Sequence, residues 1–311
     1  MKIAFLGTPE FAVAPLDALA RTGHELACVV AQPDRPAGRG QALREPATKA
    51  WARARGVPVL QPEKVRDGRL AAELRALAPD LLVVVAYGRI LGDDLLTLAP
   101  FGAVNVHASL LPRWRGAAPI QWALAAGDLE TGVTLMHMDA GLDTGDILLQ
   151  RVLPIAPDET SATLHDRLAA LGAAAIVEGL PLLEAGRRLT PVRQDGACAT
   201  LARIIEKEDG RLDFARPAAE LAARVRAFTP WPGAFTTLGG RLLKVHAARA
   251  LPAGPGLAPG EASAGGDGLL VGCGAGSALL LAEVQLEGKK RLSAADFVKG
   301  QPVAAGTVLG R

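Results

Sequence analysis

Apolar runs alternate with segments of helical period through the first two thirds of the chain. The run at 2–7 ends in a turn glycine, and residues 10–22 carry apolar side chains at helical spacing. The β-branched run at 81–87 predicts a central parallel strand covered on both faces. Further strands are predicted at 26–31, 57–60, 102–107, 132–138 and 147–155, and further helices at 47–55, 68–78, 120–126 and 164–185. This alternation predicts an α/β fold with a doubly wound, mostly parallel, Rossmann-like sheet.

The pattern changes near residue 205. A helix predicted at 218–228 is followed by short β-like runs that Gly and Pro clusters separate, at 234–238, 242–247, 269–271 and 279–284. Such runs are typical of a small barrel or sandwich. We therefore expect a first domain over 1–189, a linker over 190–206 and a smaller β-domain over 207–311.

Prolines give two local predictions. Gly179 and Pro181 are expected to break the long helix at 164–185, because proline removes a helical hydrogen bond. Trp231 stands between Pro230 and Pro232, and its large ring is expected to be a buried packing anchor.

Composition narrows the class of protein. The 311 residues are enough for two domains, and half of them are hydrophobic. No apolar run reaches the roughly 18 residues of a membrane helix, so no membrane association is expected. The three cysteines, Cys28, Cys198 and Cys273, are far apart and fit neither a disulfide framework nor a clustered metal site. The simplest compartment is a reducing cytoplasm.

Charge is unevenly distributed. The net charge is only +2, yet residues 207–311 carry 13 Lys and Arg against 9 Asp and Glu. This excess fits a surface that faces a polyanion, and it fits a solvated basic surface equally well.

The candidate chemistry centres on Asn105 and His107. Side chains two apart on a strand share a face, so these two converge at the carboxyl end of a predicted strand, where open α/β sheets bind ligands. The downstream loop 139–146 adds three acids and two glycines. An amide, an imidazole and a carboxylate suit acyl or formyl transfer. Taken alone, His107 is better interpreted as a buried structural histidine. Its place at a strand end, the face it shares with Asn105 and the Pro-Arg-Trp-Arg-Gly loop that follows favour a catalytic role.

Two segments argue against particular functions. The turn at 7–11 lacks the later glycines of a dinucleotide fingerprint, which speaks against a nicotinamide dehydrogenase. Loop 139–146 lacks the spacing of a calcium loop, so no metal is expected there.

Segment 32–48 is too long and too rich in Pro, Gly and Arg for a plain connection. Arginine guanidinium groups bind phosphates well, so Arg35, Arg39 and Arg44 are candidates for a clamp on RNA. The alternative is a solvated loop without a ligand.

In these segments the chain resembles the methionyl-tRNA formyltransferase family, nearly end to end and in family order. The matching segments are 7–11, 32–40, 83–87, 105–120, 139–146 and 230–232. The run from Ser109 to Ile120 is the most specific, whereas Asn-x-His with a downstream Asp is shared by several formyltransferases. Ala108 departs from the pattern, since the family commonly has glycine after the histidine.

The resemblance implies formyl transfer from 10-formyltetrahydrofolate, as co-substrate, to the methionine amino group of initiator methionyl-tRNA. It implies Asn105, His107 and Asp143 as the catalytic residues and Arg35, Arg39 and Arg44 as contacts of the tRNA. The folate is expected against Tyr87, Gly88, Ile90, Leu91, Ser109, Leu110, Leu111, Pro112 and Asp139. It also implies a C-terminal barrel that resembles an oligonucleotide-binding fold and contacts RNA. We expect a cytoplasmic monomer without a metal. The alternatives are a formyltransferase for a small amine and a catalytically idle RNA-binding protein.

Overall fold

The computed structural model describes residues 1–37, 42–184, 191–254, 256–265 and 268–310. The chain divides into two compact units. The first contains Met1–Pro119, Glu130–Pro154 and His165–Arg203; the second contains Ile120–Leu129, Ile155–Leu164 and Ile204–Arg311.

Strands and helices alternate before residue 204. The strands are β1 (Lys2–Gly7), β2 (Glu25–Val30), β3 (Arg35–Ala37), β4 (Ala42–Arg44), β5 (Val59–Leu60), β6 (Leu81–Val85), β7 (Ala103–His107), β8 (Arg115–Gly116), β9 (Glu130–His137), β10 (Ile147–Pro154) and β11 (Leu201–Ala202). The helices are α1 (Val13–Ala20), α2 (Ala47–Ala54), α3 (Arg69–Leu77), α4 (Asp93–Leu96), α5 (Pro119–Ala125) and α6 (Ser161–Glu184). Single 3-10 turns occur at Glu10–Ala12 and Gly196–Cys198.

The first unit is built on a seven-stranded sheet in the order β10-β9-β7-β6-β1-β2-β5. Its strands from β7 to β5 are parallel, whereas β9 runs antiparallel to both β7 and β10. This confirms a mostly parallel sheet. Every residue of β6 is buried, which confirms the predicted central strand. On one face, Leu70 and Leu74 of α3 pack with Leu82 and Val84 of β6 in a shared apolar cluster.

Two elements of this unit differ from the sequence prediction. The predicted break in the long helix is wrong, because α6 continues through Pro181. Leu164, Ile176 and Leu180 of α6 are fully buried, while Pro181 lies on the exposed side. Burial of that apolar face offsets the hydrogen bond that Pro181 cannot make. Within 32–48 the chain forms a hairpin of two three-residue strands, β3 and β4.

The second unit contains an antiparallel sheet in the order β12-β13-β16-β15-β14, with β17 paired to β16. Its elements are α7 (Ala218–Ala227), β12 (Ala234–Leu238), β13 (Arg241–Leu251), β14 (Ala262–Gly265), β15 (Gly268–Gly272), β16 (Ala278–Leu286), β17 (Leu292–Ser293) and α8 (Ala294–Gly300), with a 3-10 turn at Lys207–Gly210. Leu221 of α7 and Phe297 of α8 close a core against Leu243 and Leu281 of the sheet. A predominantly β second domain is thus confirmed, although β13 and β16 are longer than the runs predicted at 242–247 and 279–284, and β14 was not predicted.

The prediction that Trp231 is a buried anchor is wrong, since the residue is 58% exposed. The buried aromatic is Phe228, three positions earlier, which has no exposed surface. Its ring meets Trp122 edge to face, with centroids 6.3 Å apart. Across the described parts of the chain, none of the helices combines the length and apolarity needed to span a bilayer.

Candidate active site

Asn105 and His107 lie at the carboxyl end of β7, both nearly buried. Their direct cross-strand partners on β9 are Met136 and Thr134, so all four side chains share one face of the sheet. The neighbouring β6 is parallel to β7, and its carboxyl end opens on the same edge. The sheet therefore presents an amide and an imidazole together at the edge where such folds bind ligands.

Asp143 meets both of these side chains. Its Oδ1 accepts the Asn105 Nδ2–H at 3.4 Å, and its Oδ2 lies 3.6 Å from His107 Nδ1. The three residues that the sequence singled out thus converge, although 36 positions separate His107 from Asp143. The carboxylate retains some access to solvent, with 15% of the Asp143 side chain exposed against 6% for His107. This arrangement can exchange a proton at its open side.

The second nitrogen of His107 faces a backbone oxygen. Its Nε2 lies 2.9 Å from the carbonyl oxygen of Trp114, so this nitrogen carries the hydrogen and donates it. With Asp143 opposite Nδ1, the imidazole has an oxygen acceptor near each nitrogen. The imidazole is therefore arranged as a hydrogen-bond donor.

The Asp143 carboxylate is aligned by the strand that follows the turn. The Gly116 N–H donates to Asp143 Oδ2 at 2.8 Å. Gly116 belongs to β8, which pairs in parallel with β11. Its φ is +119°, and a Cβ atom there would lie 2.7 Å from the carbonyl oxygen of Ala202 on β11. Only glycine fits this close approach of two backbones.

Left-handed backbone occurs at several non-glycine residues around the trio. The φ angles are +47° at Ala86, +64° at Trp114 and +51° at Asp143. Each such residue costs on the order of 1 kcal/mol, which surrounding contacts have to offset. Here the contacts are visible, because the Trp114 N–H donates to Thr200 Oγ1 at 2.8 Å and the Trp114 carbonyl accepts from His107. The strain is concentrated where the functional groups are held.

The turn 109–112 is fixed by a buried hydroxyl. Thr134 Oγ1 donates to the Ser109 carbonyl at 2.7 Å and accepts the Leu111 N–H at 3.1 Å. Gln150 Nε2 donates to the Leu111 carbonyl at 2.9 Å, and Ser109 Oγ donates to the Arg113 carbonyl at 2.6 Å. Leu110 and Pro112 lie within this held segment, and the Leu111–Pro112 peptide is cis. The predicted folate turn is therefore preorganised.

The predicted folate wall at 87–91 splits into two parts. Tyr87 and Leu91 belong to the apolar cluster under the sheet edge, and Tyr87 is 2% exposed. The phenol oxygen has no hydrogen-bond partner among the described residues, and burial raises the pKa of Tyr87 to about 12. Gly88 and Ile90 instead line a surface cleft of about 590 Å³. The cleft also contains Glu63, Lys64, Val65, Arg66, Asp67 and Arg89.

Asp139, also expected near the folate, is exposed and closes its own loop. Its Oδ1 accepts the Thr144 hydroxyl at 2.6 Å and the Gly141 N–H at 3.0 Å. Asp139 therefore shapes the 139–144 loop that carries Asp143. Within the residues that the structure describes, no group of His, Cys, Asp and Glu side chains converges as a metal site would require.

Arg35 and Arg44 face each other across the β3-β4 hairpin, and both are exposed. Like charges directly opposite destabilise a strand pair, so an anion placed between them would relieve the repulsion. Arg35 Nη2 donates to Gln32 Oε1 at 2.9 Å, and Gln32 Nε2 donates to the Tyr87 carbonyl at 2.8 Å. Arg39 lies outside the described residues.

Sequence reasoning missed Gln194 and Thr200, which lie in the predicted linker and contact the site. Thr200 Oγ1 accepts the Trp114 N–H, and Gln194 Nε2 donates to the Asp143 carbonyl at 2.9 Å. No hydrophobic period marks this segment, so the sequence contains no signal that assigns it to the sheet domain.

Comparisons with known proteins identify the family of the chain. The sequence model of the Formyl transferase family matches residues 1–180, and that of the Formyl transferase C-terminal domain matches 204–302. The methionyl-tRNA formyltransferase of Anaeromyxobacter dehalogenans (strain 2CP-1) is 72% identical over 306 residues, covering 96% of this chain and 97% of that protein. The one from Myxococcus xanthus is 57% identical, covering 98% and 97%.

Among solved structures, an N-formyltransferase from Helicobacter canadensis, crystallised with folinic acid and dTDP-3-aminofucose, shares the fold with a TM-score of 0.69. It is 16% identical, and the match covers 90% of this chain and 98% of that one. HypX from Aquifex aeolicus in complex with tetrahydrofolic acid gives a TM-score of 0.61 at 20% identity, covering 96% and 47%. These two likenesses concern the fold alone. The identity to curated relatives over nearly the whole of both chains confirms the resemblance seen in the motifs: this chain belongs to the methionyl-tRNA formyltransferase family.

Proposed function

We propose that Asn105, His107 and Asp143 catalyse transfer of the formyl group of 10-formyltetrahydrofolate to the amino group of methionine on initiator methionyl-tRNA. The chain is a formyltransferase by membership of its family, whose reaction this is. The observation that supports the residue assignment is that the Asn105 amide and the His107 imidazole both lie against the Asp143 carboxylate. The reaction requires groups that stabilise negative charge and groups that move protons, and these three supply both.

Asn105 stabilises the oxygen of the formyl group. When the methionine amine attacks the formyl carbon, negative charge develops on that oxygen. The Asn105 amide has two N–H donors, and its contact with Asp143 Oδ1 uses one of them. The other is free to donate to the oxyanion, and one donor of this kind lowers a barrier by roughly 3–4 kcal/mol.

His107 and Asp143 handle the protons. Asp143 takes the proton that the attacking ammonium must lose, since its carboxylate is the more exposed member of the pair. The Nδ1–H of His107 donates to the developing oxyanion. When the bond from the formyl carbon to the folate nitrogen breaks, that nitrogen takes a proton from His107 Nδ1, and Asp143 returns to Nδ1 the proton that it took from the ammonium. Its fixed contact with the Trp114 carbonyl sets the plane of the ring while these transfers occur.

The co-substrate is placed between the rigid turn and the cleft. Ser109, Leu110, Leu111 and Pro112 form one side, with Asp139 shaping the facing loop. Gly88 and Ile90 line the cleft, where Lys64, Arg66 and Arg89 complement the glutamate carboxylates of the folate. Tyr87 and Leu91 support this wall from the apolar cluster beneath it.

The tRNA contacts are assigned to the hairpin and to the second domain. Arg35 and Arg44, together with Arg39, bind phosphates near the acceptor end. In this proposal residues 1–189 catalyse, 190–206 connect, and the basic region 207–311 binds RNA with a barrel of the oligonucleotide-binding type. The enzyme acts as a cytoplasmic monomer, where charged initiator tRNA is available.

The experiment supplies 10-formyltetrahydrofolate together with methionyl-tRNA or with a small sugar-nucleotide amine, and detects the blocked amino group. We expect formylation of the charged tRNA. Asn105→Ala, His107→Ala and Asp143→Ala should each lower kcat by about 10²- to 10³-fold while the melting temperature stays within a few degrees. Formylation of the small amine alone contradicts the substrate assignment. Near-normal turnover in all three variants contradicts the catalytic assignment.

A further inference from the structure

Gln194 lies between the two segments that the family models match, yet its side chain is built into the active site. Only 8% of the residue is exposed. Its Nε2 donates to the Asp143 carbonyl at 2.9 Å and to the Gly145 carbonyl at 2.7 Å. Its Oε1 accepts from Arg115 Nε at 3.0 Å and Nη2 at 2.8 Å. Every polar atom of the amide is therefore engaged.

These four contacts connect the two segments that orient the Asp143 carboxylate. The amide hydrogens hold the backbone at Asp143, whose left-handed φ of +51° needs such support. The amide oxygen holds Arg115, and the next residue, Gly116, donates its N–H to Asp143 Oδ2. The planar amide of Gln194 therefore fixes the Asp143 backbone relative to the Gly116 N–H that donates to the Asp143 carboxylate.

We infer that Gln194 is a positioning residue for formyl transfer, which acts by holding the Asp143 carboxylate within reach of Asn105 and His107. This inference rests on the proposed function, because it assumes that Asp143 is catalytic. Among the hydrogen bonds of the described residues, Gln194 contacts the Asp143 backbone and makes none with Asn105 or His107. Its contribution is to the alignment of another side chain.

A glutamine meets the requirement where similar residues do not. The two carbonyls of Asp143 and Gly145 need two N–H donors, and the Arg115 guanidinium needs an acceptor. Glutamate would keep the pairing with Arg115 and lose both donors. Methionine would occupy a similar volume and lose all four contacts. The two substitutions therefore separate the loop contacts from the arginine contact.

The test is a double-mutant cycle in single-turnover formylation of methionyl-tRNA, with enzyme in excess. We expect Gln194→Met to lower the rate about 10- to 100-fold, since an error of about 1 Å at a catalytic group has effects of this size. The KM for each substrate should change less than threefold. In the Asp143→Ala background, the same substitution should change the rate less than twofold, because no carboxylate remains to be aligned.

Gln194→Glu provides the second variant and decides the result if Gln194→Met does not fold. We expect it to slow the reaction as much as methionine does, although the arginine contact survives. Thr22→Val is the matched control, because Thr22 Oγ1 also donates to a backbone carbonyl, that of Leu19 at 2.6 Å, in a part of the first unit that has no assigned role in catalysis or binding. Its rate should stay within twofold of the parent enzyme.

Different outcomes contradict the catalytic role of Asp143 and the positioning role of Gln194. If Asp143→Ala retains the parent rate, the catalytic assignment is wrong whatever Gln194 does. If Asp143→Ala is slow but Gln194→Met lowers its rate by the same factor as in the parent, Gln194 acts independently and the inference is wrong. Full activity of Gln194→Glu also overturns it.

Discussion

The Gly116 N–H donates to Asp143 Oδ2 at 2.8 Å, whereas His107 Nδ1 lies 3.6 Å from the same oxygen. The closest fixed partner of the carboxylate is thus a backbone amide on β8 rather than the imidazole. In this structure the carboxylate is oriented by the protein backbone, and His107 is held more closely at Nε2, by the Trp114 carbonyl, than at Nδ1. The position of β8 therefore matters to the chemistry as much as the identity of the three side chains.

Substitution of Gly116 tests this dependence. Gly116→Ala would place a Cβ atom 2.7 Å from the Ala202 carbonyl oxygen at a φ of +119°. We expect the free energy of unfolding to fall by about 2–3 kcal/mol and kcat to fall at least tenfold, because the strand and its N–H must shift. Urea unfolding and steady-state kinetics measure the two effects.

The matched control is Gly127→Ala, at a φ of +73° with nothing within 4 Å of the added methyl group. It should lower stability by only about 1 kcal/mol and leave kcat unchanged. If kcat falls equally in Gly116→Ala and Gly127→Ala, the position of β8 does not determine the alignment of Asp143.

Thr134→Val tests the rigidity of the folate turn. The substitution keeps the shape but removes the acceptor of the Leu111 N–H and the donor to the Ser109 carbonyl, both inside the protein. Leaving such groups unpaired lowers stability by about 2–3 kcal/mol. We expect the KM for 10-formyltetrahydrofolate to rise about tenfold, while the KM for tRNA changes little.

Thr134→Ser keeps the hydroxyl and serves as the control, with a stability loss of about 1 kcal/mol from the missing methyl group. An unchanged folate KM in Thr134→Val would show that the turn does not contact the folate.

The hairpin arginines are expected to act on tRNA alone. Arg35→Ala and Arg44→Ala should each raise the KM for methionyl-tRNA severalfold and leave the KM for folate unchanged. Loss of one phosphate contact should also reduce the slope of log(kcat/KM) against log salt by about 0.7–0.9. Arg75→Ala, on the exposed face of α3, is the control. If the slope of log(kcat/KM) against log salt equals that of the parent enzyme, the hairpin arginines do not contact the tRNA.

Tyr87→Phe tests the buried phenol through pH. Burial raises the pKa of Tyr87 from 10.0 to about 12, so below pH 10 the phenol is protonated in both folded and unfolded chains. Between pH 10 and 12 the unfolded chain loses the proton first, and stability falls by up to about 3 kcal/mol. The phenylalanine variant should lack this fall. Cys28, whose pKa is also raised to about 12, contributes equally to both proteins and cancels in the difference.

The same variant should be more stable by about 1 kcal/mol at neutral pH, because it removes a buried hydroxyl without a partner among the described residues. Denaturant unfolding at several pH values measures both effects. The KM for folate should stay within twofold, and a clear rise would bring the hydroxyl itself into contact with the folate. Identical alkaline profiles for the two proteins would contradict the buried phenol.

The sequence predicts most of the sheet and the shared face of Asn105 and His107, whereas Asp143 is singled out among the acids of loop 139–146 by the family resemblance alone. The β-branched run of β6 and the two-residue spacing of Asn105 and His107 depend on short-range pattern, which a single sequence displays. Contacts that depend on tertiary pairing were not predictable. Gln194 lies two residues after Val192, which pairs with Ile147 in an isolated antiparallel bridge, and Thr200 directly precedes β11, which pairs with β8. Neither short pairing leaves a pattern in the sequence.

The errors have related causes. Pro181 carries a strong local signal for a break, but burial along the rest of α6 outweighs it. Trp231 was expected inside because of its size, whereas Phe228 occupies the buried place. In both cases tertiary packing overrides a preference that is correct on average.

The pairing of β8 with β11 has a consequence for exchanging modules among related enzymes. Arg203, rather than the end of α6, closes the first unit. A chimera cut just after α6 would inherit Thr200 and Gln194 from the donor of the other half, so the two parents would have to be compatible at these positions. A junction placed after Arg203 keeps Gln194, Thr200 and the Asp143 loop in one piece, whereas residues 120–129 and 155–164 of the second unit would then come from the first parent and would have to match the transplanted part.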